Sequence, residues 1–407
     1  MPLKTQTNKI NNKFQWIVLM FIPIFISQNG IFVGVISETG LHLGETGLVL
    51  PLIFFMGLYT LTFIIINIIA GGNININYQI LILITLIIMY SLAISLIGFF
   101  FNNNYIILLR CFQFLTFVLG ISLFYYLKIR NIDLVSFLKS LFYFLLIFMI
   151  IHFISSFIEI GSLTTIEGIS PNVLFFGVYQ SRVYYPYLII SLLFLSSIVI
   201  KNNKLKIFTF VLLGIYIFSL QVRGALISYL FYLIVYLILF FKRKIILSIT
   251  LIIVFIYTLI KGIEIENLQL GRFGDFEKFY TLNGRIPLWI ESFQVDNVQQ
   301  LLFGNLFFDS NQISAHNQYI QFFENGGVIL FILFLLIVVI FIKLIMVSIL
   351  SKDRISIFIC MVYIVPLTID LNLNVPLNNV NSTIIYTFIW FVAAKLIMDR
   401  KDKKIEI

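Results

Sequence analysis

The chain has 407 residues, of which 60% are hydrophobic and only 11% charged, with 45 Phe and a net charge of +9. Apolar runs of this length exceed what the core of one soluble domain can bury, and the composition is the opposite of a disordered, charge-rich chain. It predicts an all-α polytopic membrane protein, a single integral membrane domain over residues 1–407.

In chain order, apolar runs long enough to cross a hydrocarbon core of about 30 Å begin near Trp16, Gly47, Tyr78, Tyr105, Val135, Tyr184, Ile207, Gly224, Ile245, Gly327, Ile355 and Ser382. They predict about twelve transmembrane helices. The first run is long and is followed by no small-residue cleavage site, so it reads as an uncleaved span rather than a signal peptide. The stretch 207–241 is interrupted only by Gln221-Val222-Arg223-Gly224, which predicts a tight helical hairpin turning at Arg223. Pro366 and Asp370 cut the eleventh run short. Cys111 and Cys360 fall toward opposite membrane faces, which predicts buried thiols and no disulfide.

Basic residues set the orientation. With a cytoplasmic N-terminus, twenty of the 27 Lys and Arg fall inside, in the N-terminal tail, in clusters such as 201–206 and 242–244, and in the tail from Lys395. Topology thus explains most of the positive charge, and no nucleic-acid partner is needed. Both termini are expected in the cytoplasm and the chain in a plasma membrane. The remaining basic residues, Arg110, Arg182, Arg223, Lys261, Arg272, Lys278 and Arg285, fall at outer span ends or beyond them. The three histidines, His42, His152 and His316, do the same. Polar chemistry is therefore expected at the outer face, because ionisable groups are seldom kept in a bilayer without use.

The connections are unequal in the same sense. Inner connections are short, while 261–326 forms a large extracytoplasmic loop and 159–183 a second, shorter one; long ordered loops usually carry function. Within the large loop Ile286, Trp289, Ile290, Phe293 and Leu301 recur at helical spacing. This amphipathic segment has two readings, an aromatic face on the membrane surface or a stripe packed on the bundle.

Four ordered motifs follow. Gln221-Val222-Arg223-Gly224 opens a span, Asn283-Gly284-Arg285-Ile286-Pro287-Leu288-Trp289 lies in the large loop, and Leu302-Phe303-Gly304 comes next. His316-Asn317 then precedes Glu324-Asn325-Gly326-Gly327 at the entry to another span. Over roughly 221–345 this set resembles the O-antigen polymerase and O-antigen ligase superfamily. Ligases of that group tend to carry a small, hydroxylated or Tyr residue three positions after the last motif glycine; here Leu330 stands at that distance from Gly327, which leans toward the polymerase.

The resemblance implies a membrane-embedded glycosyltransferase fold of the C type. Its expected activity is glycan transfer from undecaprenyl diphosphate-linked donors at the outer face of the plasma membrane, building capsule, exopolysaccharide or O-antigen. Membrane lipids, a chain-length regulator and a flippase of the same pathway are the expected partners. Cleavage of a sugar–diphosphate bond releases a polyanion, which suits guanidinium groups that bind phosphate oxygens bidentately. Arg223 and Arg285 are the candidates for that role, with Arg182, Arg272, Arg110 and Trp289 as further substrate-binding residues. His316 is the candidate general base. Glu324 either orients it or takes the proton itself, and Asn317 binds sugar hydroxyls or fixes the loop.

The structural alternatives are specific. An Arg at an outer helix end is often a lipid-phosphate anchor; the motif context is what favours chemistry for Arg223 and Arg285. His152 reads as a helix-packing residue, and Arg110 as a partner of Glu159 or Asp370. His42-Leu43-Gly44-Glu45 is half of a metal site that no second cluster completes, so a metal-independent reaction with no cofactor is expected. A ligase would use the same donor with another acceptor. A lipid-linked oligosaccharide flippase would carry midplane charges and two related halves, a pattern this chain does not show.

Overall fold

The computed structural model describes residues 78–104, 106–115, 117–129, 133–160, 173–175, 178–180, 185–220, 223–240, 285–307, 317–373 and 380–403. The runs predicted from Trp16, Gly47 and Ile245 lie outside these residues. What is described is helical apart from one short hairpin. It opens with α1 (Tyr78–Asn102), α2 (Ile106–Phe114), α3 (Phe117–Ile129) and α4 (Leu134–Ile160). Strands β1 (Val173–Phe175) and β2 (Val178–Gln180) then pair antiparallel, Val173 opposite Gln180. Next come α5 (Tyr185–Val199), α6 (Asn203–Leu220), α7 (Arg223–Phe240), α8 (Arg285–Ser292), α9 (Val298–Phe303) and α10 (Gln318–Leu350). The C-terminal part holds α11 (Arg354–Ile359), α12 (Met361–Val365), a π-helical turn (Pro366–Asp370), α13 (Leu371–Leu373) and α14 (Val380–Lys403).

Two of the described helices, α1 and α10, are long and apolar enough to cross a membrane. The case is clearest in α10. Its stripe Leu330, Phe334, Ile337, Phe341 and Leu344 is buried, yet Ile332, Leu336, Val339, Ile342, Met346 and Ile349 on the other side are exposed and equally apolar. A helix that is hydrophobic all round, with one side bare, suits hydrocarbon and would be costly in water. Lipid tails are as apolar as these side chains, so helix association must come from close packing and interhelical hydrogen bonds.

Both are present. Helix α14 packs most extensively on α3, with the Phe124 and Phe391 ring centroids 5.6 Å apart. It is locked to α12 by two reciprocal bonds: the Tyr363 hydroxyl donates to the Trp390 carbonyl at 2.5 Å, and the Trp390 indole N–H donates to the Val362 carbonyl at 3.0 Å. Helices α6 and α7 form the expected hairpin, the Tyr229 hydroxyl donating back to the Phe210 carbonyl at 2.8 Å.

Three expectations are corrected. The run from Tyr105 is two helices, α2 and α3, rather than one. Pro366 does not end the eleventh run. It starts a π-helical turn in which the Leu371 N–H reaches the Pro366 carbonyl, and the Val362 carbonyl, which a proline at 366 leaves without its helical donor, takes the Trp390 indole N–H instead. Side chains serve the carbonyls of this irregular turn, the Tyr319 hydroxyl donating to Leu367 O at 2.8 Å and Asn372 Nδ2 to the same atom at 3.1 Å. Finally, the large loop, expected to run to Gly326, becomes helical again at Gln318; α10 is two helical stretches joined at non-helical Gly326 and Gly327, and its apolar stretch starts at that glycine pair, where the sequence put it.

The two ends of the bundle differ. At one, Asp353 caps α11 through Ser356 and pairs with Arg400 of α14 at 3.3 Å. At the other, the C-terminal end of α1 meets segment 285–307 and the start of α10. Cys111 and Cys360 are both buried and free.

Candidate functional site

The site is built on the first turns of α10. Asn317 has an extended backbone and its side-chain oxygen accepts from the Tyr319 and Ile320 N–H groups at 2.9 and 3.3 Å, satisfying two donors that a helix start leaves open. Helix α10 then kinks at Gly326 and Gly327. Gly327 (φ 65°, ψ −165°) and Gly304 (φ 65°, ψ −152°) both occupy a backbone region essentially reserved for glycine.

These two glycines interlock. A Cβ on Gly327 would stand 2.3 Å from the Leu302 carbonyl, and one on Gly304 would stand 2.5 Å from the Glu324 carbonyl and the Gly327 nitrogen. The close approach lets main chain bond to main chain. Asn305 N–H donates to Glu324 O at 2.7 Å, and Phe307 N–H to Asn325 O at 3.2 Å. Tyr90 of α1 adds its hydroxyl, 3.0 Å from the Gly326 carbonyl. Beneath them Phe322 stacks on Phe334 at 4.1 Å and meets the edge of Phe114 at 4.9 Å. Two motifs some twenty residues apart, Leu302-Phe303-Gly304 and Glu324-Asn325-Gly326-Gly327, are thus one structural unit. Leu330 is fully buried and would be struck by a Cβ on Gly326, which accounts physically for an apolar residue at that position.

Helix α8 lies against this unit through Ser292. The Ser292 Oγ is 2.5 Å from Glu324 Oε1 and 2.8 Å from the Leu288 carbonyl. A cleft of about 520 Å³ opens between the end of α1, α8, α9 and α10, with Glu324, Ser292, Asn305 and Gln300 on its walls. The expected amphipathic segment is two helices, not one, because residues 293–297 turn between α8 and α9 and Asn297 caps the second. Its apolar face is partly bare, with Ile290 62% and Phe293 54% exposed, while Trp289 is half-buried and the Phe293 ring meets that of Phe323 on α10 at 5.4 Å.

The candidate residues separate as follows. Glu324 is half-buried at the cleft, while Arg285 and Trp289 are half-buried on α8, so all three share this end of the bundle. Asn317 is 5% exposed and serves as a helix cap. Arg110 is half-buried on α2; the carboxylate of Asp370, one of its two expected partners, instead takes the hydroxyls of Ser228 and Tyr386, each at 2.7 Å. Only the backbone of Arg223, the first residue of α7, is described. His316, Arg182 and Arg272 lie outside the described residues, as do His42, Lys261 and Lys278. The side chain of His152 does too.

Sequence reasoning missed Tyr90, Ser292 and the Ser228–Asp370–Tyr386 group. Tyr90 and Asp370 had a usable signal, a lone polar group in an apolar run; Ser292 had none. Among the described residues no three His, Cys, Asp or Glu side chains gather as metal ligands would. Compared with known proteins, the chain matches no family model and no curated protein.

Proposed function

We propose that this chain polymerises undecaprenyl diphosphate-linked oligosaccharide repeat units at the outer face of a bacterial plasma membrane. In that reaction an acceptor sugar hydroxyl gives its proton to a base. Its oxygen forms a bond to the donor anomeric carbon, and the bond from that carbon to the diphosphate breaks, the electron pair leaving with the lipid diphosphate. The observation that supports this reading is the interlock of the Leu302–Gly304 and Glu324–Gly327 motifs, because it joins pieces that the resemblance treats as one site. Arg285 opens the helix that brings Ser292 to Glu324, within reach of the same end of the bundle. Arg223 and Arg285 would hold the leaving diphosphate and offset its developing charge. His316 or Glu324 would take the proton.

The test is complementation of a deletion strain with Arg223→Ala, Arg285→Ala and His316→Ala, each checked for normal insertion. Loss of long-chain product in all three is expected. Full-length polymer from all three would remove the proposed site.

A further inference from the structure

The cleft beside Glu324 has a chemistry of its own. Its volume, about 520 Å³, falls within the range of roughly 300–1,000 Å³ usual for small-molecule sites. None of its described lining residues is basic. Carboxamides and carboxylates dominate instead, and Phe323, its ring 5.4 Å from that of Phe293, supplies an apolar wall. Several of the polar groups are already used to build the cleft: Asn297 caps α9, and Gln300 bridges Asp296 N–H and Asn305. The side chains of Glu291, Gln294, Asp296 and Gln299 are exposed on its rim and make no hydrogen bond to a described residue.

The described lining residues would disfavour phosphate or a uronate, since carboxylates would face an anion with no described cation between them. A carboxamide offers both donors and an acceptor, and a carboxylate two acceptor oxygens, which together match the alternating donor and acceptor character of neighbouring ring hydroxyls. An apolar wall beside them suits the C–H face of a pyranose. We infer that the cleft between α1, α8, α9 and α10 is a saccharide subsite for neutral or amino sugars, separate from any diphosphate site, with Gln294, Asp296 and Gln299 as its ligand-binding residues. Under the functional reading above, on which this assignment rests, the saccharide held there is the acceptor, because Glu324 stands at the cleft wall.

Binding is measurable without turnover. Full-length protein in lipid nanodiscs would be titrated with the oligosaccharide released by mild acid from the host's own surface polysaccharide, and separately with inorganic pyrophosphate, using saturation-transfer NMR. The free sugar should bind, pyrophosphate should not compete, and Gln294→Ala/Gln299→Ala or Asp296→Ala should weaken the sugar by at least 10-fold. These side chains are exposed, so hydrogen exchange of α10 should be unchanged and should exclude misfolding. Equal binding by wild type and variants, no sugar binding, or competition by pyrophosphate would overturn the assignment. If a deletion strain makes normal long chains, the polymerase reading fails, whereas the cleft stands or falls on the titration alone.

Discussion

Substituting Gly327 tests the interlock on which the site depends. An added Cβ would lie 2.3 Å from the Leu302 carbonyl carbon and oxygen, whereas carbon atoms pack at about 3.5–4.0 Å. The obstacle is main chain, so no side-chain rotation relieves it. Segment 302–307 must retreat by about 1 Å, weakening the Asn305–Glu324 and Phe307–Asn325 bonds, each worth about 1 kcal/mol. Holding Ala in a glycine-only backbone region adds about 1–3 kcal/mol. The sum, about 3–5 kcal/mol, corresponds to local opening roughly 100- to 4,000-fold more frequent. Hydrogen-exchange mass spectrometry of Gly327→Ala in nanodiscs should show that acceleration in peptides covering 302–307. Gly326→Ala is the comparison, because its Cβ would press on Leu330 of its own helix rather than on the loop, and it should accelerate the loop far less. Unchanged protection of 302–307 in Gly327→Ala would refute the interlock.

Other perturbations have defined outcomes. Asn317→Ala removes the cap of α10 and should cost about 1 kcal/mol, read as faster exchange confined to 318–323, with no effect expected on the Asp353 end. Asp370→Leu strands the buried hydroxyls of Ser228 and Tyr386, at about 1–3 kcal/mol each, and should lower the thermal midpoint in detergent; an unchanged midpoint would mean that these hydroxyls find other partners. For Asp353, burial alone would raise the carboxyl, but the Ser356 hydroxyl and N–H, Arg400 and the Ile355 N–H together hold it below its ordinary value of 3.8. Because the folded group is the stronger acid, its stabilisation is fully present above that ordinary value and is lost as pH falls through the depressed one. Protection of 354–360, corrected for the intrinsic exchange rate, should therefore fall on acidification below about pH 4 in wild type and not in Asp353→Asn.

The helices were legible because apolar runs and their breaks carry most of the signal. The pairing of α6 with α7 and the buried thiols of Cys111 and Cys360 follow from residue type alone. The entry to the apolar stretch of α10 at Gly326-Gly327 was legible, but the short helical stretch before it, capped by Asn317, was not, because its residues carry no apolar periodicity that separates them from the loop. Pro366 misled for a different reason: a proline ends a regular helix, but a π-helical turn with side-chain donors from Tyr319 and Asn372 carries the chain past it. The union of Gly304 with Gly327 depends on a backbone contact that no spacing rule encodes. Ser292 was invisible because a serine in an amphipathic segment has no distinguishing pattern before its partner is known.

The most direct test of the proposed reaction is the polysaccharide length profile of cells lacking this gene, with lipid-linked intermediates extracted alongside. Single repeat units on the carrier and no long chains are expected. Long chains left on undecaprenyl diphosphate would mean a ligase, and a profile unchanged from wild type would contradict a role in chain assembly.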